Sequence, residues 1–398
     1  MAGINFYFHV HQPFRLRKYN VFEVGNNHDY FEHPETGLDK IVIQKVAQKC
    51  YLPMNNLLLT LLNRYPNFAF SFSISGVFIE QLQKYAPYVL ETFQKLVATG
   101  RVELITETFY HSLASIYSKS EFYAQIDAHK GKLKEVFGKT PKIFRNTELI
   151  YSNEIAKLVY DYGFLGMLCE GVDRYLLWQK PNYIYTAKDL PDFKLLLKNY
   201  KLSDDIAFRF GQRSWSEWPL KAEKYQSWLN DAGIDSDVIN LFMDYETFGE
   251  HQWEDTGIFF FFEKLVDYVL AEGKHFFTTP SKSIELFKPR GTYDVPELTS
   301  WADTERDLTA WRGNSIQWDS LETIYEMEQA IKATADPRLI HDWRLLQTSD
   351  HFYYMCTKWW NDGDVHAYFS SMESPFDGYE RFNNALADLR WRLNQYQN

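Results

Sequence analysis

Short runs of apolar, β-branched and aromatic residues alternate along the first two-thirds of the chain with stretches whose apolar positions recur at helical spacing. The short runs are rich in Ile, Val, Phe and Tyr, which is typical of strands. They cover residues 4–10, 67–74, 102–106, 142–145, 164–169, 206–210 and 238–243, with residues 275–279 as one more short candidate. The pattern therefore predicts many short strands separated by other elements.

Helical periodicity fills several of the gaps between those strands. Residues 54–65 carry leucines at helical spacing, residues 88–99 precede Gly100, and residues 122–137 end at Gly138. Alternating strands and helices predict parallel strands with covering helices, as a closed barrel or a doubly wound sheet. No glycine-rich phosphate loop of the form GxGxxG or GxxxxGK[ST] follows any strand, so we expect an α/β fold of the β/α-barrel type.

The pattern changes beyond about residue 290. Residues 321–333, 338–348 and 381–397 predict helices, with no strand between them. We therefore divide the chain into a β/α-barrel catalytic domain over residues 1–290 and a C-terminal helical domain over residues 291–398, packed on the barrel.

Ionisable side chains stand on or just beyond several predicted strands, where the loops of a β/α barrel form one mouth. They are His9 and His11, Glu103, Glu107 and His111, Glu148, and Asp244 and Glu246. Carboxylates are costly to bury, so such a set favours a functional site. Cleavage of a glycosidic bond needs two carboxyl groups, one to protonate the leaving oxygen and one to act as nucleophile or base.

Other interpretations of these residues stay open. Glu148 by itself could form a salt bridge between strands, and Asp244 and Glu246 could cap the next helix. His9 and His11 share one face of a strand and could bind a metal, as in barrel hydrolases of C–N bonds, although further ligands would be needed. The same two histidines could instead bind sugar in the neutral form or be buried structural residues.

Composition narrows the class of partner. Phe, Tyr and Trp make up 18% of the 398 residues, and flat rings can pack against sugars, although they can equally fill a core. The net charge of −11 disfavours nucleic acid and an anionic membrane as partners. The three cysteines lack metal-type spacing and the first residues lack a secretion signal, so we expect a cytoplasmic protein. The oligomeric state is left open.

Five segments at these positions resemble the marker regions of glycoside hydrolase family 57, which contains α-amylases, 4-α-glucanotransferases and related α-glucan enzymes. In chain order they are HQP at residues 11–13, GRVEL at 100–104, NTEL at 146–149, FMDYETFG at 242–249 and, as the weakest match, LTSWAD at 298–303. Residues 202–210 and 349–352 also look like motifs of the shorter, amylase-type members. The ordered set spans most of the chain.

The resemblance implies a seven-stranded β/α barrel, a distorted form of the eight-stranded barrel, with a helical C-terminal region. It implies retention of anomeric configuration, with no metal and no cofactor in the chemistry, and an α-glucan or maltooligosaccharide substrate. The family's third region holds the nucleophile and the fourth holds the general acid/base, so these roles pass to Glu148 and Asp244. We expect burial and the charge of Glu148 to raise the pKa of Asp244.

Seven further residues are predicted to bind substrate. The candidates for hydrogen bonds to sugar hydroxyls are His11, Glu103, Glu246 and Asp350, and the candidates for sugar platforms are Trp253, Trp301 and Trp311. Three functions stay open: an α-1,4-glucan hydrolase, a 4-α-glucanotransferase on the same scaffold, and a metal-dependent amidohydrolase or deacetylase that uses His9 and His11. The first is the main prediction.

Overall fold

The three-dimensional structure, a computed structural model, describes residues 1–31, 37–358 and 371–397. The strands are β1 Gly3–Val10, β2 Phe70–Ile74, β3 Val102–Leu104, β4 Ile143–Arg145, β5 Gly166–Glu170, β6 Ile184–Ala187, β7 Leu190–Lys198, β8 Val238–Asp244, β9 Phe276–Phe277 and β10 Gly291–Tyr293.

The α-helices are α1 Leu38–Val46, α2 Leu52–Arg64, α3 Gly76–Tyr85, α4 Pro87–Ala98, α5 Ala114–Tyr117, α6 Lys119–Phe137, α7 Asn153–Tyr162, α8 Asp173–Leu176, α9 Tyr200–Asp204, α10 Ala222–Ala232, α11 Ile258–Glu272, α12 Pro280–Leu286, α13 Thr309–Arg312, α14 Ser315–Glu326, α15 Glu328–Ala333, α16 Pro337–Leu345, α17 Ser349–Tyr353 and α18 Pro375–Gln397. Short π-helical turns occupy Ala47–Tyr51 and Asp205–Arg209, and 3₁₀ turns occupy Val21–Glu23, Thr147–Leu149, Tyr245–Thr247 and Glu254–Thr256.

The first sheet is built around β1, all eight residues of which are buried. Its strands pair in parallel in the order β3-β2-β1-β8, and the short β9 also pairs with β1. Parallel strands that are covered on both faces read as nearly continuous apolar runs, and this is why β1 and β8 stand out in the sequence. The register of β1 and β8 sets His9 opposite Asp244 at their C-terminal ends.

The second sheet has the order β10-β6-β7-β5-β4. β5 is parallel to both β4 and β7, and β6 is antiparallel to β7. The two sheets meet at both edges, through a parallel bridge between Thr106 and Phe144 and through the hydrogen bond from the Asn199 N–H to the Asn240 carbonyl, 2.9 Å. The predicted α/β fold is confirmed. The parallel strands β1 to β5, β7 and β8 lie side by side in chain order, and isolated backbone contacts join the two sheets at the two edges where they meet.

One predicted strand is wrong. Residues 206–209 lie in the π-helical turn Asp205–Arg209 and Phe210 follows it; within the turn Ile206 is buried while Phe208 is largely exposed. An apolar run of this length fits a helical turn as well as a strand, so periodicity alone did not separate the two. The strand that follows β5 in the parallel series is β7, and the pattern does not predict it because its first residues are exposed and include a proline and an aspartate.

In the C-terminal part of the chain the described residues form the helices α13 to α18, in line with the predicted helical region. These helices share a hydrophobic cluster with the second sheet, to which Phe144, Leu195, Trp343 and Phe382 all contribute. The division of the chain at residue 290 stays a prediction. Within the described ranges, no helix combines the length and the apolar character that a bilayer crossing demands.

Candidate active site

A cavity of about 490 Å³ lies where the C-terminal ends of β1 and β8 meet the turn after β4 and the start of α17. The cavity brings together residues that are far apart in the sequence, because parallel strands deliver their C-terminal ends to the same side of the fold. The predicted site residues that line it are His11, Glu148, Asp244, Glu246, Trp301, Trp311 and Asp350.

Two predicted substrate-binding residues do not line this cavity. Both carboxylate oxygens of Glu103 accept hydrogen bonds from Ser281, one from its N–H at 2.9 Å and one from its hydroxyl, so Glu103 stabilises the first turn of α12. Trp253 is 58% exposed, and the Lys49 ammonium lies 4.8 Å from its ring centroid. Neither residue lines the cavity, so the sugar contacts of Glu103 and Trp253 stay predictions that this cavity does not support.

Glu148 lies in the 3₁₀ turn after β4 with φ 57° and ψ 24°. A left-handed backbone at a residue with a Cβ costs about 1–3 kcal/mol and persists where the surrounding structure maintains it. Glu148 Oε1 accepts hydrogen bonds from His111 Nε2 at 3.1 Å and from the Ser349 hydroxyl at 3.3 Å. Its Oε2 accepts one from Trp301 Nε1 at 2.7 Å, so the carboxylate is fixed through both oxygens.

The charge of Glu148 is maintained by its neighbours. Burial raises its pKa, but the hydrogen bond and charge of His111 and the charge of Arg145 outweigh burial and hold the pKa below its ordinary value. Burial has the opposite effect on His111, whose bonds to Glu107 and Glu148 nevertheless raise its pKa to about 9. Near neutral pH Glu148 is therefore an anion next to an imidazolium, which suits a nucleophile.

Asp244 is the last residue of β8, and Nδ1 of His9 donates a hydrogen bond to its Oδ1 at 3.2 Å. The partial burial of Asp244 raises its pKa, but the hydrogen bond and charge of His9, with the charges of His251 and Arg145, outweigh this effect and lower the pKa below its ordinary value. The expectation of a raised pKa is therefore wrong for the free protein. It included burial and the charge of Glu148, but not the histidine on the neighbouring strand.

Glu246, two residues after Asp244, differs from Asp244 in its protonation state. It is buried, and its Oε1 accepts a hydrogen bond from the Tyr51 hydroxyl at 2.5 Å. Burial raises its pKa to about 8; the Tyr51 hydrogen bond opposes this rise and the negative charge of Asp244 adds to it. Glu246 therefore carries a proton near neutral pH and can both donate to and accept from a sugar hydroxyl.

His11 and Asp350 form a second polar pair on the cavity wall. His11 Nε2 donates to Asp350 Oδ2 at 3.1 Å, and its Nδ1 is 2.7 Å from the Ser75 hydroxyl. Burial and the charge of His111 lower the pKa of His11 to about 4. Although burial opposes it, His11 holds the pKa of Asp350 below its ordinary value. A neutral imidazole beside a carboxylate supplies hydrogen-bonding groups without a net positive charge.

Glu107 and His111 are the main site residues that had no role assigned from the sequence. Glu107 is fully buried, and its Oε2 accepts hydrogen bonds from His9 Nε2 at 3.3 Å and from His111 Nδ1 at 3.0 Å. One carboxylate thus joins the histidine that contacts Asp244 to the histidine that contacts Glu148. The four-residue spacing of Glu107 and His111 just after a strand was the available signal, but it has no specific meaning without the fold.

The rim of the cavity holds further residues that had no role assigned from the sequence, two of them in the motif-like segment 202–210. Phe208 lines the cavity and is 60% exposed. Asp204 accepts hydrogen bonds from Lys198 and Arg306, each at 3.0 Å, and all three line the same cavity. The sequence assigned no role to Phe208, because residues 206–210 read as a strand.

His9 and His11 do not act as a pair in the described part of the chain. Two groups there bring three possible metal-ligand atoms within 4.8 Å of one another: His9 with Glu107 and His111, and His11 with His111 and Asp350. Each group contains only one of the two histidines. Hydrogen bonds of 3.0 to 3.3 Å within the two groups account for their arrangement, so a metal site that uses both histidines together is not formed by these residues.

A known family model and a named relative both match most of this chain. The sequence model of "Glycosyl hydrolase family 57" matches residues 5–296. A relative from Methanocaldococcus jannaschii, named "Putative alpha-amylase", is 43% identical over 404 residues, which cover 98% of this chain and 85% of the relative.

Solved structures share the fold at low sequence identity. The branching enzyme of the GH57 type from Pyrococcus horikoshii superposes with a TM-score of 0.69 at 16% identity, over 92% of this chain and 87% of that one. The 4-alpha-glucanotransferase from Thermococcus litoralis gives a TM-score of 0.65 at 18% identity, over 88% of this chain and 56% of that one. These likenesses show the fold.

Proposed function

The chain belongs to glycosyl hydrolase family 57 and is a glycoside hydrolase, and we propose that it cleaves α-1,4-glucosidic bonds of maltooligosaccharides with retention of configuration. In this proposal Glu148 is the nucleophile and Asp244 the general acid/base. The observation that carries it is that both carboxylates line one cavity, each with a histidine within hydrogen-bond distance.

The first step breaks the glycosidic bond. Glu148 attacks the anomeric carbon through a carboxylate oxygen while Asp244 gives its proton to the departing glycosidic oxygen, so that a covalent glycosyl-enzyme forms and a shortened sugar leaves. Asp244 must therefore be protonated in the complex. Its side chain is 40% exposed in the free protein, and a sugar that covers it removes solvent from the charged form and raises its pKa.

The second step releases the sugar. Asp244, now ionised, takes a proton from a water molecule, whose oxygen attacks the anomeric carbon and frees Glu148. Two inversions at the same carbon leave its configuration unchanged. Glu246, the His11–Asp350 pair and the indole of Trp301 provide hydrogen bonds and a flat surface for the sugar bound in the cavity.

A glucanotransferase is the second candidate, and Phe208 favours it. An exposed ring at the rim can hold an acceptor sugar, and an acceptor hydroxyl could then replace water in the second step. The two candidates share Glu148 and Asp244 and differ only in what removes the sugar from Glu148.

Product analysis tests the proposal. The pure protein is incubated with a maltooligosaccharide of defined length, and the products are separated by chromatography. Only shorter sugars, released first as the α-anomer by NMR, are expected for the hydrolase. Longer sugars would favour the transferase, whereas a β-anomer as first product would contradict the double displacement. A Glu148→Gln variant serves as the control for contaminating activity.

A further inference from the structure

Glu107 occupies a central place beneath the cavity without lining it. It follows β3, its side chain is fully buried, and its N–H donates a hydrogen bond to His129 Nδ1 at 3.1 Å. His129 in turn is 2.8 Å from the Ile74 carbonyl through its Nε2. Both the backbone and the side chain of Glu107 are therefore fixed by groups on neighbouring elements.

The two carboxylate oxygens of Glu107 differ in the hydrogen bonds that they accept. Oε2 accepts hydrogen bonds from both His9 and His111, whereas Oε1 accepts none among the described residues. The two imidazole rings stack with centroids 4.7 Å apart and an interplanar angle of 23°. A single oxygen thus sets the orientation of two parallel rings.

Each ring uses its other nitrogen for one of the proposed catalytic carboxylates. His9 reaches Asp244 at 3.2 Å and His111 reaches Glu148 at 3.1 Å. His111 also has a left-handed backbone, with φ 52°, as does Glu148. Two residues with strained backbones that hydrogen-bond to each other indicate that their relative position is maintained by the surrounding structure.

We propose that Glu107 is a positioning residue, which holds His9 and His111 through one carboxylate oxygen so that they orient Asp244 and Glu148 for the two steps of catalysis. This inference rests on the proposed function, because it assigns Glu107 a role only through those two carboxylates. Glu107 does not touch the sugar, and its contribution is therefore to turnover rather than to substrate binding.

The negative charge of Glu107 is part of this role. The guanidinium of the fully buried Arg145 lies 3.6 Å from Oε2, so Glu107 partly balances a buried cation as well as orienting two rings. Glutamine in its place keeps one oxygen that can accept both histidine hydrogen bonds, but it removes the charge. Alanine removes the oxygen and the charge together, and so releases both rings.

The test compares Glu107→Gln and Glu107→Ala with the unaltered protein on an α-linked nitrophenyl maltooligosaccharide. Hydrogen bonds to charged groups contribute enough that we expect kcat to fall roughly 10- to 100-fold in Glu107→Ala and less in Glu107→Gln. KM is expected to change by less than about threefold in both, as for groups that act only in the transition state. The product is expected to keep the α configuration, and azide is not expected to restore the rate.

A matched control removes a buried carboxylate elsewhere. Glu121 in α6 accepts a hydrogen bond from Arg344 at 2.7 Å and pairs with Lys332 at 2.8 Å, away from the cavity. Glu121→Gln is expected to lower the melting temperature while kcat stays within about twofold. All variants are assayed well below their melting temperatures, and if Glu107→Ala does not fold, the Glu107→Gln comparison decides.

Three results would overturn the inference: an unchanged kcat in a folded Glu107 variant, a loss of kcat in Glu121→Gln as large as that in Glu107→Gln, or a loss of activity on chelation that zinc restores. Failure of the proposed function itself is separable, because then Glu148→Ala would retain activity. An inactive Glu148→Ala beside fully active Glu107 variants would leave the function intact and remove only the positioning role.

Discussion

The two proposed catalytic carboxylates share one cavity but are held in opposite ways. Glu148 lies on a strained turn, accepts three side-chain hydrogen bonds and is 18% exposed. Asp244 ends a regular strand, its hydrogen bond comes from His9, and 40% of its side chain is exposed.

The difference matches the demands of the two roles. A nucleophile must stay ionised and point in one direction, and several donors on a fixed carboxylate provide both. A general acid/base must gain and lose a proton in each cycle, so its pKa must respond to what covers it. The contact with His9 and the partly exposed side chain of Asp244 allow this, whereas the surroundings of Glu148 oppose it.

Replacement of Glu148 by alanine should give the largest effect. No glycosyl-enzyme can form, so we expect turnover of natural glucans to fall on the order of 10⁴- to 10⁶-fold, as for other lost nucleophiles. Azide can occupy the vacated space and should restore cleavage of activated substrates, with a product of inverted configuration by NMR. A rescued product of retained configuration would exchange the two assignments.

Replacement of Asp244 by alanine should give a loss that depends on the leaving group. Natural glucans need proton donation and should lose roughly 10²- to 10⁴-fold in kcat/KM, while a nitrophenyl leaving group needs little assistance and should lose far less. Azide should rescue this variant with retained configuration, because Glu148 has already reacted. Equal losses for both leaving groups would contradict the role of general acid.

His111→Asn tests what keeps Glu148 ionised. The asparagine removes the positive charge that lowers the pKa of Glu148, so that pKa rises and Glu148 takes up a proton at a higher pH as the solution is acidified. The acid limb of kcat/KM against pH should therefore move to higher pH, with a loss of roughly tenfold or more at neutral pH. An acid limb at its original position would show that His111 does not control the charge of Glu148.

Trp301→Phe removes one of the donors to Glu148 while it preserves a flat ring. Loss of the 2.7 Å hydrogen bond from Nε1 should lower kcat by roughly tenfold. Trp343 offers a matched control, because its Nε1 donates to the Ile324 carbonyl, also at 2.7 Å, in the C-terminal helices. Trp343→Phe should lower the melting temperature and leave kcat unchanged; a similar fall in kcat would make the Trp301 effect non-specific.

Phe208→Ala should have the smallest effect and should spare both carboxylates. Loss of a stacking surface at the rim should raise KM for long maltooligosaccharides by roughly two- to tenfold, in the range of aromatic contact energies. KM for a short nitrophenyl substrate, and the stability of the fold, should change little. A fall in kcat with unchanged KM would place Phe208 outside the sugar path.

Much of this site could be predicted from strand ends. β1 and β8 are buried parallel strands with nearly continuous apolar sequences, and β4 is a short buried strand that ends in Arg145. The residues at and after their ends, including Glu148 and Asp244, are therefore recognisable as candidates in the amino-acid sequence alone. The resemblance in the FMDYETFG segment then separated Asp244 from Glu246 in role. Their different protonation states follow from the contact of Asp244 with His9 and from the burial of Glu246, and both depend on parts of the chain that are distant in sequence.

Other parts could not be predicted from the sequence. Glu103 and Glu107 are both acidic and only four residues apart, yet Ser281 fixes the first and two histidines surround the second. Sequence spacing does not say which carboxylate faces which neighbour. Likewise the apolar residues around Phe208 fit either a strand or a helical turn, and only tertiary packing selects the turn.

The most direct test of the account is to trap the covalent intermediate. A fluorinated α-glycosyl fluoride that reacts fast in the first step and slowly in the second is incubated with the protein, which is then digested and mapped by mass spectrometry. We predict one added glycosyl group, on Glu148, and none in the Glu148→Gln variant. A glycosyl group on Asp244, Glu246 or any other residue would contradict the assignment of Glu148 as the nucleophile.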